Sequence, residues 1–291
     1  MKKENKPQKN ETTTPQTPLH KLQADNNADI FVISGEITRP LSDKLIDEIN
    51  SIKDKRANAL VFLCTFGGDG DAAYIMAKTL KRHYSKLLLY ISGFCKSAGT
   101  IIALGANKIY ISEKGELGPL DVQMNREDEL AKSTSGLDTS SAISKMGEEA
   151  YNLFETMFIT LIASSGANIT TKTAADIATQ LTSALVTPIT EQLDPLKICE
   201  TDRSIRIASE YSKRLGAKKE VVEKLIYNYP THSFVIDFEE AKDLFNDVEL
   251  YSDLDEKASN QIKDIMTGLF SSESIRKPSS RGIAIHITLD Q

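Results

Sequence analysis

The sequence lacks the signals of a membrane-spanning, a secreted or a metal-binding protein. Its longest apolar runs fall well short of the roughly 18–20 residues that a membrane span requires. No basic segment followed by an apolar one opens the chain, so we expect no secretion signal. The three cysteines, Cys64, Cys95 and Cys199, form no CxxC pair and have no zinc-type spacing to histidine. These absences predict a cytoplasmic protein that uses no metal and no cofactor.

Positive charge is scarcer than negative charge. The 291 residues include 35 Lys and Arg and 41 Asp and Glu, a net charge of −6, so neither nucleic acid nor an anionic membrane is an expected partner. Residues 1–28 contain almost no apolar side chain and are predicted to be a disordered polar tail. Residues 29–250 are predicted to form one domain, and residues 251–291 a polar C-terminal extension whose apolar alternation at 283–287 adds a strand.

Two strand-like runs each end in small residues. The run 58–65 leads into Gly67 and Gly68, and the run 87–91 is followed by Ser97 and then by a helical pattern. Parallel sheets place their sites at the carboxyl ends of strands. Ser97 is therefore a candidate nucleophile, and the N–H groups of Gly67, Gly68 and Ala98 are a candidate oxyanion hole for acyl transfer. A serine that only caps its helix is the simpler alternative.

The order of these segments predicts the fold class. Strand and helix patterns alternate from residue 29 to residue 112, which favours a mainly parallel sheet with helices on its faces. Four short motifs then resemble the serine dehydrogenase proteinase family, a branch of the Clp-fold serine peptidases related to signal-peptide peptidase A and to the Clp protease proteolytic subunit. They are SAGT at 97–100, ALGANKIYI at 103–111, LGPLDVQ at 117–123 and YPTHSFVID at 229–237.

This resemblance implies a fold, an activity and an assembly. The fold is α/β, of the Clp/crotonase-like type with repeated β-β-α and βα units, and the activity is that of a serine peptidase. The resemblance assigns Ser97 as the nucleophile and Gly67, Gly68 and Ala98 as the oxyanion hole. A homo-oligomer is also expected, because the relatives enclose their sites in rings.

The base that activates Ser97 is harder to find, because histidine is scarce in the sequence. Where the Clp proteolytic subunit has its catalytic histidine this chain has Val122, and no histidine occurs between Ser97 and His232. The motif at 229–237 favours His232 as the base, with Asp121 orienting it.

A Ser–Lys dyad, as in the signal-peptide peptidase relatives, stays open as a second solution. Lys145 follows Ser97 at the distance that fits best, and Lys132 fits less well. A lysine base must be desolvated to lower its pKa, and Lys145 lies in a helical pattern with apolar neighbours.

The sequence thus predicts a serine endopeptidase-like hydrolase that cleaves peptide or protein substrates through an acyl-enzyme at Ser97. Two other classes remain open. A Clp-fold scaffold subunit with weak or absent activity is favoured by the missing histidine at the Clp position. A crotonase-type acyl-CoA enzyme would use the same oxyanion hole but would have no need of the serine.

Overall fold

The computed structural model describes residues 17–120, 123–125, 133–166, 168–191, 194–269 and 282–288. The strands in this part of the chain are β1 (Ala28–Ser34), β2 (Asn58–Cys64), β3 (Lys86–Ile91), β4 (Phe94–Cys95), β5 (Lys108–Ile111), β6 (Glu116–Leu117), β7 (Gln123–Asn125), β8 (Ser133–Ser135), β9 (Val248–Leu250) and β10 (Ile283–Ile287). The helices are α1 (Pro18–Asn26), α2 (Arg39–Ser51), α3 (Gly70–His83), α4 (Ala98–Leu104), α5 (Gly136–Ser164), α6 (Thr171–Thr190), α7 (Pro195–Leu215), α8 (Lys219–Tyr227), α9 (Phe238–Leu244) and α10 (Asp253–Leu269).

Six strands form the central sheet, in the order β10-β1-β2-β3-β5-β9. All neighbours from β1 to β9 pair in parallel, and β10 pairs antiparallel with β1 at the edge. The predicted α/β fold with a mainly parallel, helix-flanked sheet is therefore confirmed. The apolar alternation near the C-terminus forms the added strand β10.

The central strands β1, β2 and β3 are buried on both faces, which explains why they are apolar almost throughout rather than alternating. On β1, Phe31 and Ile33 belong to one hydrophobic cluster, while Ile30 and Val32 belong to another. The first cluster includes the apolar faces of α2, α3 and α4. The second is completed by residues of α1 and α10. The strands are thus held between two helical layers.

The prediction of a disordered tail through residue 28 is wrong for its last part. Residues 18–26 form α1, which begins with a Thr17 cap and buries Leu19 and Leu22 against the sheet. The N–H of Leu19 also donates to the Gln261 side chain of α10 at 3.2 Å. Parts of both predicted extensions therefore cover one face of the sheet, and the domain bounds 29–250 stay a prediction. Among the described helices, none combines the length and apolar character needed to cross a membrane.

Candidate active site

The segment that follows β2 is fixed by its own hydrogen bonds. The hydroxyl of the buried Thr65 accepts the N–H of Gly67 at 3.0 Å. Ile37 pairs with Gly68 in an isolated parallel bridge, donating to the carbonyl of Gly67 and accepting the N–H of Asp69, both at 2.8 Å. In such a bridge the central residue directs its own N–H to the opposite side. Among the described residues, no acceptor engages the N–H of Gly68.

Glycine is required twice in this loop. Gly67 and Gly68 have φ values of 117° and 135°, a region that residues with a side chain rarely adopt. A Cβ at Gly67 would lie 2.8 Å from the Cβ of Ser97, and a Cβ at Gly68 would overlap the carbonyl oxygen of Ile37. The pair of glycines therefore allows the loop to approach both the Ser97 elbow and the neighbouring backbone.

Ser97 occupies a strained elbow between β4 and α4. Its φ is 49° and its ψ −112°, and its side chain makes no capping hydrogen bond to α4. The interpretation of Ser97 as only a helix cap therefore fails. Strained backbone of this kind costs of order 1–3 kcal/mol and is concentrated at functional sites, and it presents nucleophilic serines at strand-to-helix turns.

The elbow and the glycine loop are joined through the main chain. The N–H of Thr65 donates to the carbonyl of Phe94 at 2.7 Å, and the N–H of Lys96 donates to the carbonyl of Thr65 at 3.0 Å. Gly99, in the first turn of α4, completes the close packing, since a Cβ there would lie 2.6 Å from the Thr65 methyl group. The two segments therefore form one rigid backbone unit.

One cavity of about 910 Å³ brings the predicted site residues together. Gly67, Gly68, Ser97, Ala98 and His232 all line it. Its size lies within the usual range for ligand sites, about 300–1,000 Å³. Five of the six predicted site residues thus face a common space, and the sixth, Asp121, lies outside the described residues.

The remaining walls of the cavity have two characters. Apolar side chains are contributed by α4, α7 and the segment after β6, namely Ile101, Leu120, Ile207 and Ala208. Carboxylates are contributed by the loops after β1 and β2 and by the first turn of α3, namely Glu36, Asp69 and Asp71. Nothing in the sequence indicated that α7 would line the cavity, because only its helical pattern could be recognised.

His232 is carried by a segment that is far from Ser97 in the sequence. This segment is attached through an antiparallel bridge between Leu117 and Ile236, whose two hydrogen bonds are 3.0 and 3.1 Å long. Its other end is held by the Tyr229 hydroxyl, which donates to Glu240 at 2.7 Å. The bridge explains how residues on either side of a long helical insertion meet at one cavity.

Cys64 also lines the cavity but is poorly suited to be the nucleophile. Burial raises the pKa of the Cys64 thiol, and the backbone hydrogen bond with Phe94 opposes this only in part. The reactive thiolate is therefore disfavoured at neutral pH. Within the described residues, no group of three or more His, Cys, Asp and Glu side chains could hold a metal ion.

A family model, described as a ClpP-like SDH-type serine proteinase, matches residues 33–187, just over half of the chain. The chain belongs to this family. The resemblance inferred from the four motifs is therefore confirmed, and the chemistry of the family is that of serine peptidases, which are hydrolases. The matched residues contain the glycine loop and Ser97 and end before His232.

One curated relative matches part of this chain. The uncharacterized protein MJ0137 of Methanocaldococcus jannaschii is 35% identical over 91 residues, which make up 31% of this chain and 31% of that protein. The chain thus matches less than a third of the length of this curated relative.

Two solved structures of a 1510-N membrane-bound stomatin-specific protease are similar in fold. A serine-to-alanine mutant has a TM-score of 0.47 and 16% identity, covering 79% of this chain and 81% of that chain. A lysine-to-alanine mutant in complex with a substrate peptide has a TM-score of 0.48 and 15% identity, covering 79% and 77%. Neither likeness is strong enough to identify a shared site.

Lys145, the first alternative base, does not line the cavity, whereas His232 does. Lys145 is 66% exposed and forms ion pairs with Glu148 and Glu149 at 3.4 and 3.1 Å. Hydrogen bonds that Lys145 donates to Glu149 and Glu148 raise its pKa, which is the opposite of what a lysine base requires. The burial that a lysine base needs is therefore not found at Lys145, and Lys132 lies outside the described residues.

Proposed function

We propose that this family member is an active serine endopeptidase-like hydrolase. Ser97 attacks a peptide carbonyl, His232 takes the serine proton and returns it to the leaving amine, and water then releases the acyl group from Ser97. In this proposal Asp121 orients His232, and a peptide or protein is the substrate. The observation that carries the proposal is the strained Ser97, whose hydroxyl does not cap its helix and which faces a cavity also lined by the glycine loop.

The hydrogen bonds of the loop refine the proposed oxyanion hole. Because Gly67 gives its N–H to Thr65, we assign the two donors to Gly68 and Ala98. Gly67 then contributes through its missing side chain, which allows the loop to lie against Ser97. Removing one donor of such a hole typically costs about 10²–10³ in kcat.

The decisive experiment is labelling with a fluorophosphonate, followed by peptide mapping and by assay on a quenched peptide library. The wild type should be labelled at Ser97, Ser97→Ala should not be labelled, and His232→Gln should be labelled at least about a hundredfold more slowly. Lys145→Ala is the matched control and should keep the rate of the wild type.

The outcomes separate the candidate functions. Loss of labelling in Lys145→Ala, with His232→Gln unaffected, would refute His232 as the base and favour a Ser–Lys dyad. A folded wild type that takes no label would refute the peptidase and favour the scaffold. Turnover of acyl-CoA that survives Ser97→Ala would favour the crotonase-type enzyme. A homo-oligomer and a cytoplasmic location complete the proposal, to be tested by light scattering and by fractionation.

A further inference from the structure

We propose that Lys96 is a positioning residue, whose buried ammonium group fixes the segment bearing His232 against the Ser97 elbow. This inference rests on the proposed function, since it concerns how the base of that site is held. The side chain of Lys96 is only 8% exposed. Its Nζ donates to the carbonyl of Leu117 at 3.0 Å and to the carbonyl of Phe234 at 3.1 Å, and it forms an ion pair with Glu116 at 3.3 Å.

These three partners define what Lys96 can do. An ammonium group has three N–H donors, and the geometry supplies three acceptors, so Lys96 is arranged as a donor and not as a base for Ser97. A buried charge is costly unless it is paired and hydrogen-bonded. Here one carboxylate and two carbonyls compensate it, and the methylene chain packs against Gly118, where a Cβ would lie 2.5 Å from the Cδ of Lys96.

The acceptors lie on the segments that build the site. Leu117 begins the stretch that leads to Leu120 in the cavity wall, and Phe234 follows His232 by two residues. Lys96 itself directly precedes Ser97, and its carbonyl accepts the N–H of Gly99 at 2.8 Å. The Lys96 side chain therefore connects the segments of Leu117 and Phe234 to the main chain directly before Ser97.

Lys96 adds a second connection to the one that the bridge provides. Besides Lys96, the backbone hydrogen bonds between Leu117 and Ile236 hold the two segments together. Loss of the ammonium would leave the carboxylate of Glu116 without its ion pair and the carbonyl of Phe234 without its donor, while the carbonyl of Leu117 would keep only the N–H of Ile236. The His232 segment would then gain freedom. Because a misplacement of about 1 Å at a catalytic group can cost about a hundredfold, we expect Lys96→Met to slow acylation about 10- to 100-fold.

The test measures the second-order rate of fluorophosphonate labelling against pH in the wild type, Lys96→Met and Lys108→Met. Lys108→Met is the matched control, because Lys108 is partly buried and ion-paired, to Glu249 at 2.6 Å and Asp247 at 3.5 Å, but on β5 away from the cavity residues. Lys96→Met should lower the rate and displace the midpoint of its pH dependence. Lys108→Met should leave both unchanged even if it lowers stability.

Two further measurements keep the proposal falsifiable if Lys96→Met folds poorly. In Lys96→Ala, propylammonium should restore at least about a tenth of the lost rate, because it replaces the missing carbons and charge, whereas 1-propanol should not. Amide exchange at Ile236 should accelerate about tenfold in Lys96→Met but not in Lys108→Met. Absence of both effects would overturn the proposal, as would a wild-type rate and pH profile in a folded Lys96→Met.

The failures of the two proposals can be told apart. A wild type that takes no label at Ser97 refutes the peptidase itself. A wild type that is labelled in a His232-dependent way, beside an equally reactive Lys96→Met, refutes only the role of Lys96.

Discussion

Replacing Gly68 by alanine should damage the structure far more than an ordinary glycine substitution. The new Cβ would overlap the carbonyl oxygen of Ile37 and lie 2.9 Å from its nitrogen, both of which are backbone atoms that cannot swing aside. The loop must therefore separate from Ile37 and lose two hydrogen bonds of 2.8 Å. At about 1 kcal/mol for each bond, with about 1–2 kcal/mol for the positive φ, the loss is about 3–4 kcal/mol of unfolding free energy.

Substitutions of two other glycines separate the contributions to this loss of stability. Gly216 also has a positive φ, 100°, but a Cβ added there would have no atom within 4 Å, so Gly216→Ala should cost only the backbone term of about 1–2 kcal/mol. Gly147 lies in α5 with equally open space, so Gly147→Ala should stabilise the protein by about 0.5–1 kcal/mol. Each of the three substitutions adds the same methyl group, so their comparison separates the cost of steric overlap from the cost of backbone conformation.

Urea unfolding followed by circular dichroism measures the series. With a slope of about 2–3 kcal/mol per molar, the midpoint of Gly68→Ala should lie about 0.7–1 M below that of Gly216→Ala. Gly68→Ala should also slow labelling of Ser97, because the displaced loop carries the proposed Gly68 donor, while Gly216→Ala should not. Equal midpoints for Gly68→Ala and Gly216→Ala would refute the close approach to Ile37.

Two more predictions concern the elbow and the C-terminal strand. Ser97→Gly should abolish acylation and be about 1 kcal/mol more stable than Ser97→Ala, because glycine tolerates the φ of 49°; equal urea midpoints would contradict the strain. Burial lowers the pKa of His286 on β10, although Asp29 and Glu48 oppose the shift. The unfolded chain then binds the proton more readily than the folded chain. The contribution of neutral His286 to the free energy of unfolding is therefore complete above about pH 6.5 and is lost on acidification toward the lowered pKa. His286→Phe should therefore flatten the loss of stability below pH 6.5, and an unchanged acid profile would contradict this.

The sequence predicts the sheet well because each central strand is a short run buried on both faces. The wrong part of the prediction is α1, whose mean character is polar and whose two buried leucines contact α10 and the sheet, far away in the sequence. Pro188 is misleading in a similar way. A proline usually ends or kinks a helix, but Pro188 lies inside α6. For α1, a polar composition fails as a signal because contacts that are distant in the sequence bury its two leucines.

In the candidate site, too, the features with a local sequence pattern could be predicted and those that depend on particular hydrogen bonds could not. Ser97 and the glycine pair could be predicted because each lies where a strand pattern changes to a helical one. The hydrogen bond from Gly67 to Thr65, which shifts the proposed donor to Gly68, has no signal in the residue pattern. The role of Lys96 was hidden for another reason, since its acceptors are backbone carbonyls that every residue type possesses.

The two halves of the site are therefore held by different forces. The proposed nucleophile and the proposed oxyanion donors belong to adjacent crossovers, where main-chain hydrogen bonds and close glycine contacts fix the geometry together with the core. The proposed base, His232, belongs to a remote segment, attached through the bridge between Leu117 and Ile236 and through the buried ammonium group of Lys96. Substitutions in the first half should lower stability and rate together. Substitutions in the second half should lower the rate more than the stability, because the His232 segment can loosen while the sheet beneath Ser97 stays packed.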